Sequence, residues 1–104
     1  MPGEKIIPEI VRRVAVEFRV ARRDILNRRQ GDENFVRLMA ISLVRELSRL
    51  EAHAIGRAFG ISPANGADRA CRHFAKYLRH IPGLRKKYEK LKRELQKKLV
   101  NLNI

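Results

Sequence analysis

Residues 51–81, EAHAIGRAFGISPANGADRACRHFAKYLRHI, carry the pattern of two helices joined by a tight turn, and they read as a helix-turn-helix. Ala52, Ile55, Ala58 and Phe59 recur at helical spacing on one face. Gly60 stops that helix, because glycine takes the left-handed backbone of a helix end without steric cost, and Ile61 supplies an apolar plug for the turn. Ser62 then offers an N-cap oxygen. Pro63 suits the first helical position, where an amide proton would have had no partner, so the second helix is expected to start there. Ala67, Ala70, Cys71, Phe74, Leu78 and Ile81 continue as a buried stripe. The opposite face carries Asn65, Arg69, Arg72, His73, Lys76 and Arg79, donors suited to phosphates and to base edges in a major groove. An ordinary helical hairpin with a solvated basic face is the competing reading of these residues.

The charge of the whole chain points the same way. In 104 residues, 24 Lys and Arg stand against 11 Asp and Glu, a formal net charge of +13 that favours a polyanionic partner, nucleic acid before an acidic membrane surface. Hydrophobic residues make up 44 %, enough for one modest core. The single cysteine, Cys71, excludes an internal disulfide and fits a reducing cytoplasm. The opening MPGEKIIPEI has no long apolar region, and no run approaches the length that spans a bilayer, so a soluble protein is expected.

Upstream, Ile7, Ile10, Val11, Val14, Ala15 and Phe18 predict a first helix from about Pro8 to Arg19. A short second helix over residues 22–27 offers Ile25 and Leu26 to the core, and a polar turn comes next at 28–32. A long third helix is expected over 33–50, with Phe35, Val36, Met39, Ala40, Leu43, Val44 and Leu47 inside and with charges matching the helix dipole at its two ends. Downstream, Pro82-Gly83 interrupts the pattern. A final helix over 84–99 carries eight basic residues and two acidic ones. Its Leu84, Tyr88, Leu91, Leu95 and Leu102 form a seam broken at Lys98, open either to docking on the domain or to pairing with another chain.

Catalytic chemistry finds no constellation to carry it. There is no Walker-type phosphate loop and no His-x-His metal pair, and His53, His73 and His80 are not clustered with carboxylates. Tyr77 and Tyr88 have no neighbouring base in sequence that would mark either as a nucleophile. No cofactor and no metal are expected.

The segment LVRELSRLEAHAIGRAFG and, beyond it, ADRACRHF resemble the C-terminal DNA-binding domain of the bacterial replication initiator DnaA, a Trp-repressor-like helix-turn-helix domain. Arg45, Glu46 and Leu47 match its REL-type helix end, Ile55, Gly56, Phe59 and Gly60 its IG-x-x-FG, and Ala70, Cys71 and Arg72 its ACR. The similarity runs over about residues 11–74 and needs no gap between Arg37 and Arg72. A related domain ends some REP-associated tyrosine transposases, and the tail beginning Leu84-Arg85-Lys86-Lys87 is similar to the basic segment on the C-terminal side of that domain. The resemblance implies that Arg29, with Arg28 beside it, enters a minor groove, and that Arg37 reaches phosphate. Where the family has Asp-His-Thr-Thr at the start of its recognition helix, this chain has Pro63, Ala64, Asn65 and Gly66, so the family's target sequence does not transfer.

These readings give an all-α fold of about six helices, with a helix-turn-helix domain over 1–83 and a basic C-terminal helix over 84–104. The expected partner is double-stranded DNA, bound with shallow sequence preference through Arg28, Arg29, Arg37, Asn65, Arg69, Arg72, His73 and Lys76. No membrane partner is expected, the C-terminal helix is open to homodimer formation, and the setting is the bacterial cytoplasm at the nucleoid. The alternative is a protein-interaction module that uses the basic C-terminal helix, with the helix-turn-helix as scaffold.

Overall fold

Thirteen residues, Phe35–Leu47, form a helix that is buried on nearly every side, and the rest of the chain is wrapped around it. The computed structural model describes residues 3–26 and 35–102. It has six helices: α1 (Gly3–Phe18), α2 (Arg22–Leu26), α3 (Phe35–Leu47), α4 (Ala52–Phe59), α5 (Gly66–His80) and α6 (Leu84–Leu102). Among the described residues there is no strand. Helix α3 touches each of the other five, and these touch one another in the cyclic order α1, α2, α4, α5, α6 and back to α1. A helix enclosed in this way is solvated only in its last turn, at Arg45 and Glu46, which is why Ile41 and Ser42 are buried along with the expected Val36, Met39, Ala40, Leu43 and Val44.

The chain divides less than its Pro82-Gly83 interruption suggests. Leu84, Tyr88, Leu91, Leu95 and Leu99 of α6 are all buried in the one core that also holds Ile10, Val14, Leu43 and Phe74. The seam from Leu84 to Leu99 is therefore docked on α1, α3 and α5, so the basic helix after residue 83 shares the core of the preceding helices; the side chain of Leu102 lies outside the described residues. The α-carbon radius of gyration, 12.8 Å, is that of a single domain of about 100 residues. Leu99 stands four residues after Leu95 and continues the seam through the place where Lys98 marks a break in the sequence pattern. The Tyr88 ring packs 5.1 Å from the Phe74 ring, and burial pushes its hydroxyl pKa up, with the nearby Glu46 carboxylate acting in the same direction.

Charges on the flanks of α6 fasten it. Lys92 pairs with Glu46 at 2.9 Å and Lys87 with Glu17 at 3.7 Å, while Lys98 pairs with Glu9. Arg13 of α1 donates to Glu94 from its Nε at 3.2 Å. Lys87 also lies 5.1 Å over the Phe18 ring.

Three helix ends differ from expectation, each for a local reason. Helix α1 starts upstream of Pro8, which sits inside it with its ring exposed and leaves one early carbonyl without a helical donor. It ends at Phe18 because Arg19 takes a left-handed φ of 55°, which lets the Val20 N–H donate back to the Ala15 carbonyl at 3.1 Å. Helix α3 stops at Leu47 rather than near Leu50, since Ser48 donates both its N–H and its hydroxyl to the Val44 carbonyl and then accepts from the Leu50 N–H. The expected start of α3 at Glu33, with Asp32 before it, lies outside the described residues.

Candidate nucleic-acid interface

The α4–α5 pair is held by its turn. Gly60 is left-handed at φ 66° and ψ 36°, and both its N–H and that of Ile61 donate to the Gly56 carbonyl. A β-carbon at Gly56 would lie 2.9 Å from the Pro63 α-carbon and 3.0 Å from the Ile61 carbonyl oxygen. One at Gly66 would lie 2.9 Å from both Cβ and Cγ1 of Ile61. One glycine from each helix thus lets the turn close around Ile61, which gives Gly66 a packing role.

The second helix begins three residues later than its sequence signals suggest. Ser62 and Pro63 are exposed and belong to the turn, in which the Gly66 N–H donates to the Ser62 carbonyl at 2.9 Å. Asn65, at φ −141° and ψ 4°, is the N-cap and makes no side-chain cap hydrogen bond. Drawing Gly66 against Ile61 bends the chain out of helical geometry at Asn65, and this outweighs the local preference for a Ser-Pro start.

From Asn65 onward the face opposite the core is uniform. Gly66, Ala67, Ala70 and Phe74 are buried against the centre of the fold, and the small residues among them let α5 lie close on α3. On the opposite side Asn65, Arg69, Arg72, Lys76 and Arg79 succeed one another at three- and four-residue steps and are all exposed. The four cations make no ion pair among the described residues. His73 lies beside this line, exposed, its ring 6.4 Å from that of Tyr77. Asp68, the acidic residue of the first turn, pairs with Arg45 of α3, which turns its charge away from the outward line. Arg45, Asp68, Cys71, Arg72 and Ala75 border an open depression on that flank.

Arg37 is not a phosphate contact. It is buried at 5 % exposure, and one guanidinium nitrogen donates to the carbonyls of Ile25 at 2.7 Å and Leu26 at 2.9 Å, while the other donates to that of Phe59. Those carbonyls end α2 and α4, so a single cation satisfies the negative ends of two helix dipoles. Its guanidinium carbon also sits 5.8 Å from the centre of the Phe59 ring. The tie fixes the end of α2 beside the end of α4. Arg28 and Arg29 themselves lie outside the described residues.

Of the expected site residues, the structure thus places Asn65, Arg69, Arg72, His73 and Lys76 on the exposed side of α5 and its N-cap, with Arg79 in line as the sequence pattern has it, and turns Arg37 into the core. Among the described residues no three of His, Cys, Asp and Glu come together as a metal site, and no helix is long and apolar enough to cross a membrane. In comparisons with known proteins, no family model, no curated protein and no solved structure matches this chain.

Proposed function

We propose that the chain is a sequence-tolerant double-stranded DNA-binding module in which α4, the turn and α5 act as a helix-turn-helix and α5 enters the major groove. The observation that carries this reading is the outward line of α5: four cations and an asparagine, directly opposite the buried stripe and free of carboxylate partners among the described residues. A major groove about 12 Å wide admits one helix with such a face, and arginines along it can reach both phosphates and guanine edges. The resemblance to the DnaA C-terminal domain, and to the related domain of REP-associated tyrosine transposases, supports the same use of this helix and a bacterial, nucleoid-associated role. The positions of the family's base-reading residues fall here in the turn, with Asn65 at the helix entrance, so discrimination is shallow and rests on Asn65 and Arg69. Against the competing reading of α6 as a protein-pairing helix stands the burial of its seam from Leu84 to Leu99.

Duplex binding measured at two salt concentrations tests the proposal, with single strands and anionic vesicles as controls. Four to six phosphate contacts from Arg28, Arg29, Arg69, Arg72, Lys76 and Arg79 give a slope of log K against log salt of roughly −4 to −5. Selection from a random duplex pool then returns a weak consensus, which Asn65→Ala or Arg69→Ala flattens by roughly 1–3 kcal/mol at one position. Affinity indifferent to salt, or strong recovery of the initiator family's box, refutes the reading.

A further inference from the structure

Helix α6 sorts its charges by position, and the sorting is not needed for docking. Lys87, Lys92 and Lys98, on the two flanks of the buried seam, are the ones that pair with Glu17, Glu46 and Glu9. Lys86, Lys90, Arg93 and Lys97 fall on the line directly opposite that seam, are all exposed and make no ion pair among the described residues. Their line is purely basic over about 16 Å of helix, at 1.5 Å per residue. Glu89 and Glu94 stand to either side of it, and Glu94 is engaged by Arg13.

This pattern selects its partner. A protein interface is depleted of lysine at its centre and carries aromatic or aliphatic anchors, whereas the outward line of α6 offers only cations. A membrane-surface helix would present apolar residues to the lipid, and the apolar residues of α6 from Leu84 to Leu99 face the core instead. What remains is a regular array of phosphates. In the ring around α3, α5 and α6 are neighbours, each with its basic line turned away from the centre into its own sector. A duplex engaged by α5 lies in front of α5, while the α6 line faces past it.

We infer that the outward face of α6 is a second phosphate-backbone site that holds a separate duplex segment, so that one chain bridges two. The inference rests on the proposed use of α5. The test uses the full chain with duplexes of about 12 base pairs, each about 41 Å long at about 3.4 Å per base pair and so as long as the protein itself, which makes one duplex shared by both faces an outcome the measured stoichiometry has to exclude. Sedimentation gives the number of duplexes per chain, and energy transfer between donor- and acceptor-labelled duplexes reports bridging. The wild-type chain carries two duplexes and gives transfer. The combined Lys86→Gln, Lys90→Gln, Arg93→Gln and Lys97→Gln variant carries one and gives none, while its melting temperature stays at the wild-type value because the docking lysines are untouched. The Arg69→Gln, Arg72→Gln and Lys76→Gln variant also falls to one, retained through α6.

A wild-type chain that carries one duplex, with affinity unchanged in the α6 variant, makes the line ordinary solvated surface and overturns the inference while leaving the function of α5 intact. One duplex held more weakly by the α6 variant means that both helices share it, which also overturns the second site. Preferential capture of anionic vesicles through these four residues does the same. A chain that binds no duplex at all removes the reading of α5 first.

Discussion

Replacing Arg37 tests whether this cation is a structural clamp or a ligand contact. Arg37→Met keeps the length of the side chain and its contact with Phe59 but removes every donor, leaving the carbonyls of Ile25, Leu26 and Phe59 without the guanidinium. Hydrogen bonds from a charged group contribute about 1.5–3 kcal/mol each, and a buried acceptor left unsatisfied costs about 1–3 kcal/mol. Part of this is recovered because the methionine need not be desolvated as a charge, so a net loss of about 3–5 kcal/mol is expected. For a domain of this size that lowers the melting temperature by roughly 15–30 °C. Arg37→Lys keeps the charge but replaces the planar fork, which spans three carbonyls from two helices, with a single ammonium, and it falls between the two. Thermal and urea melts of the three proteins, read by circular dichroism, give the order. If Arg37→Met melts within about 1 kcal/mol of wild type while its duplex affinity and salt slope both fall, Arg37 reaches phosphate after all and the clamp is wrong.

The same core gives three further expectations. Leu91→Ala, at a fully buried position of α6, destabilises the protein by about 2–5 kcal/mol, and a chain ending at residue 83 fails to fold; a truncated chain with a normal cooperative melt would restore α6 as an independent appendage. Gly56→Ala and Gly66→Ala both destabilise, because the new methyl meets backbone atoms at Pro63 and Ile61 in the first case and the Ile61 β-carbon, which no rotamer moves, in the second; a wild-type melting temperature for either variant refutes this packing of the turn. Acid loosens the far end of α6. Arg12 and Lys98 hold the Glu9 carboxylate at a pKa of about 2, below its ordinary 4.5, so its stabilisation is present above pH 4.5 and is lost as the pH falls through that window. Screened by solvent at the surface, this is about 1 kcal/mol, and Glu9→Gln should abolish that part of the acid dependence of the melt.

Helix existence and order are legible in the sequence because each element carries its own 3.6-residue stripe, and the stop at Gly60 is legible because only a left-handed residue ends α4 there. Arg37 is not legible. A cation on an otherwise apolar helix reads as outward, and its burial depends on carbonyls 11, 12 and 22 residues away in sequence. The start of α5 escapes local reading for a related reason, since Ser62-Pro63 is a sound local signal and the contact of Gly66 with Ile61, which displaces it, belongs to the packed turn. The docking of α6 is half legible. Its seam is visible through Leu95, but three lysines that look like solvated surface find their carboxylates on α1 and α3. The outward line of α5 is readable in full, being the complement of a clear buried stripe.

The closure of the turn around Ile61 has a consequence for how the outward face of α5 can change over time. The angle between α4 and α5 is set by Gly56, Ile61 and Gly66, none of which belongs to the outward line of α5. Substitutions at Asn65, Arg69, Arg72 or Lys76 therefore leave the presentation of the helix alone, and at exposed positions of this kind they typically shift stability by about 0.5 kcal/mol or less. The outward surface and the scaffold are thus separate sets of residues, so that, if α5 reads a groove as proposed, its preferred sequence can drift, or be lost, without passing through an unfolded intermediate.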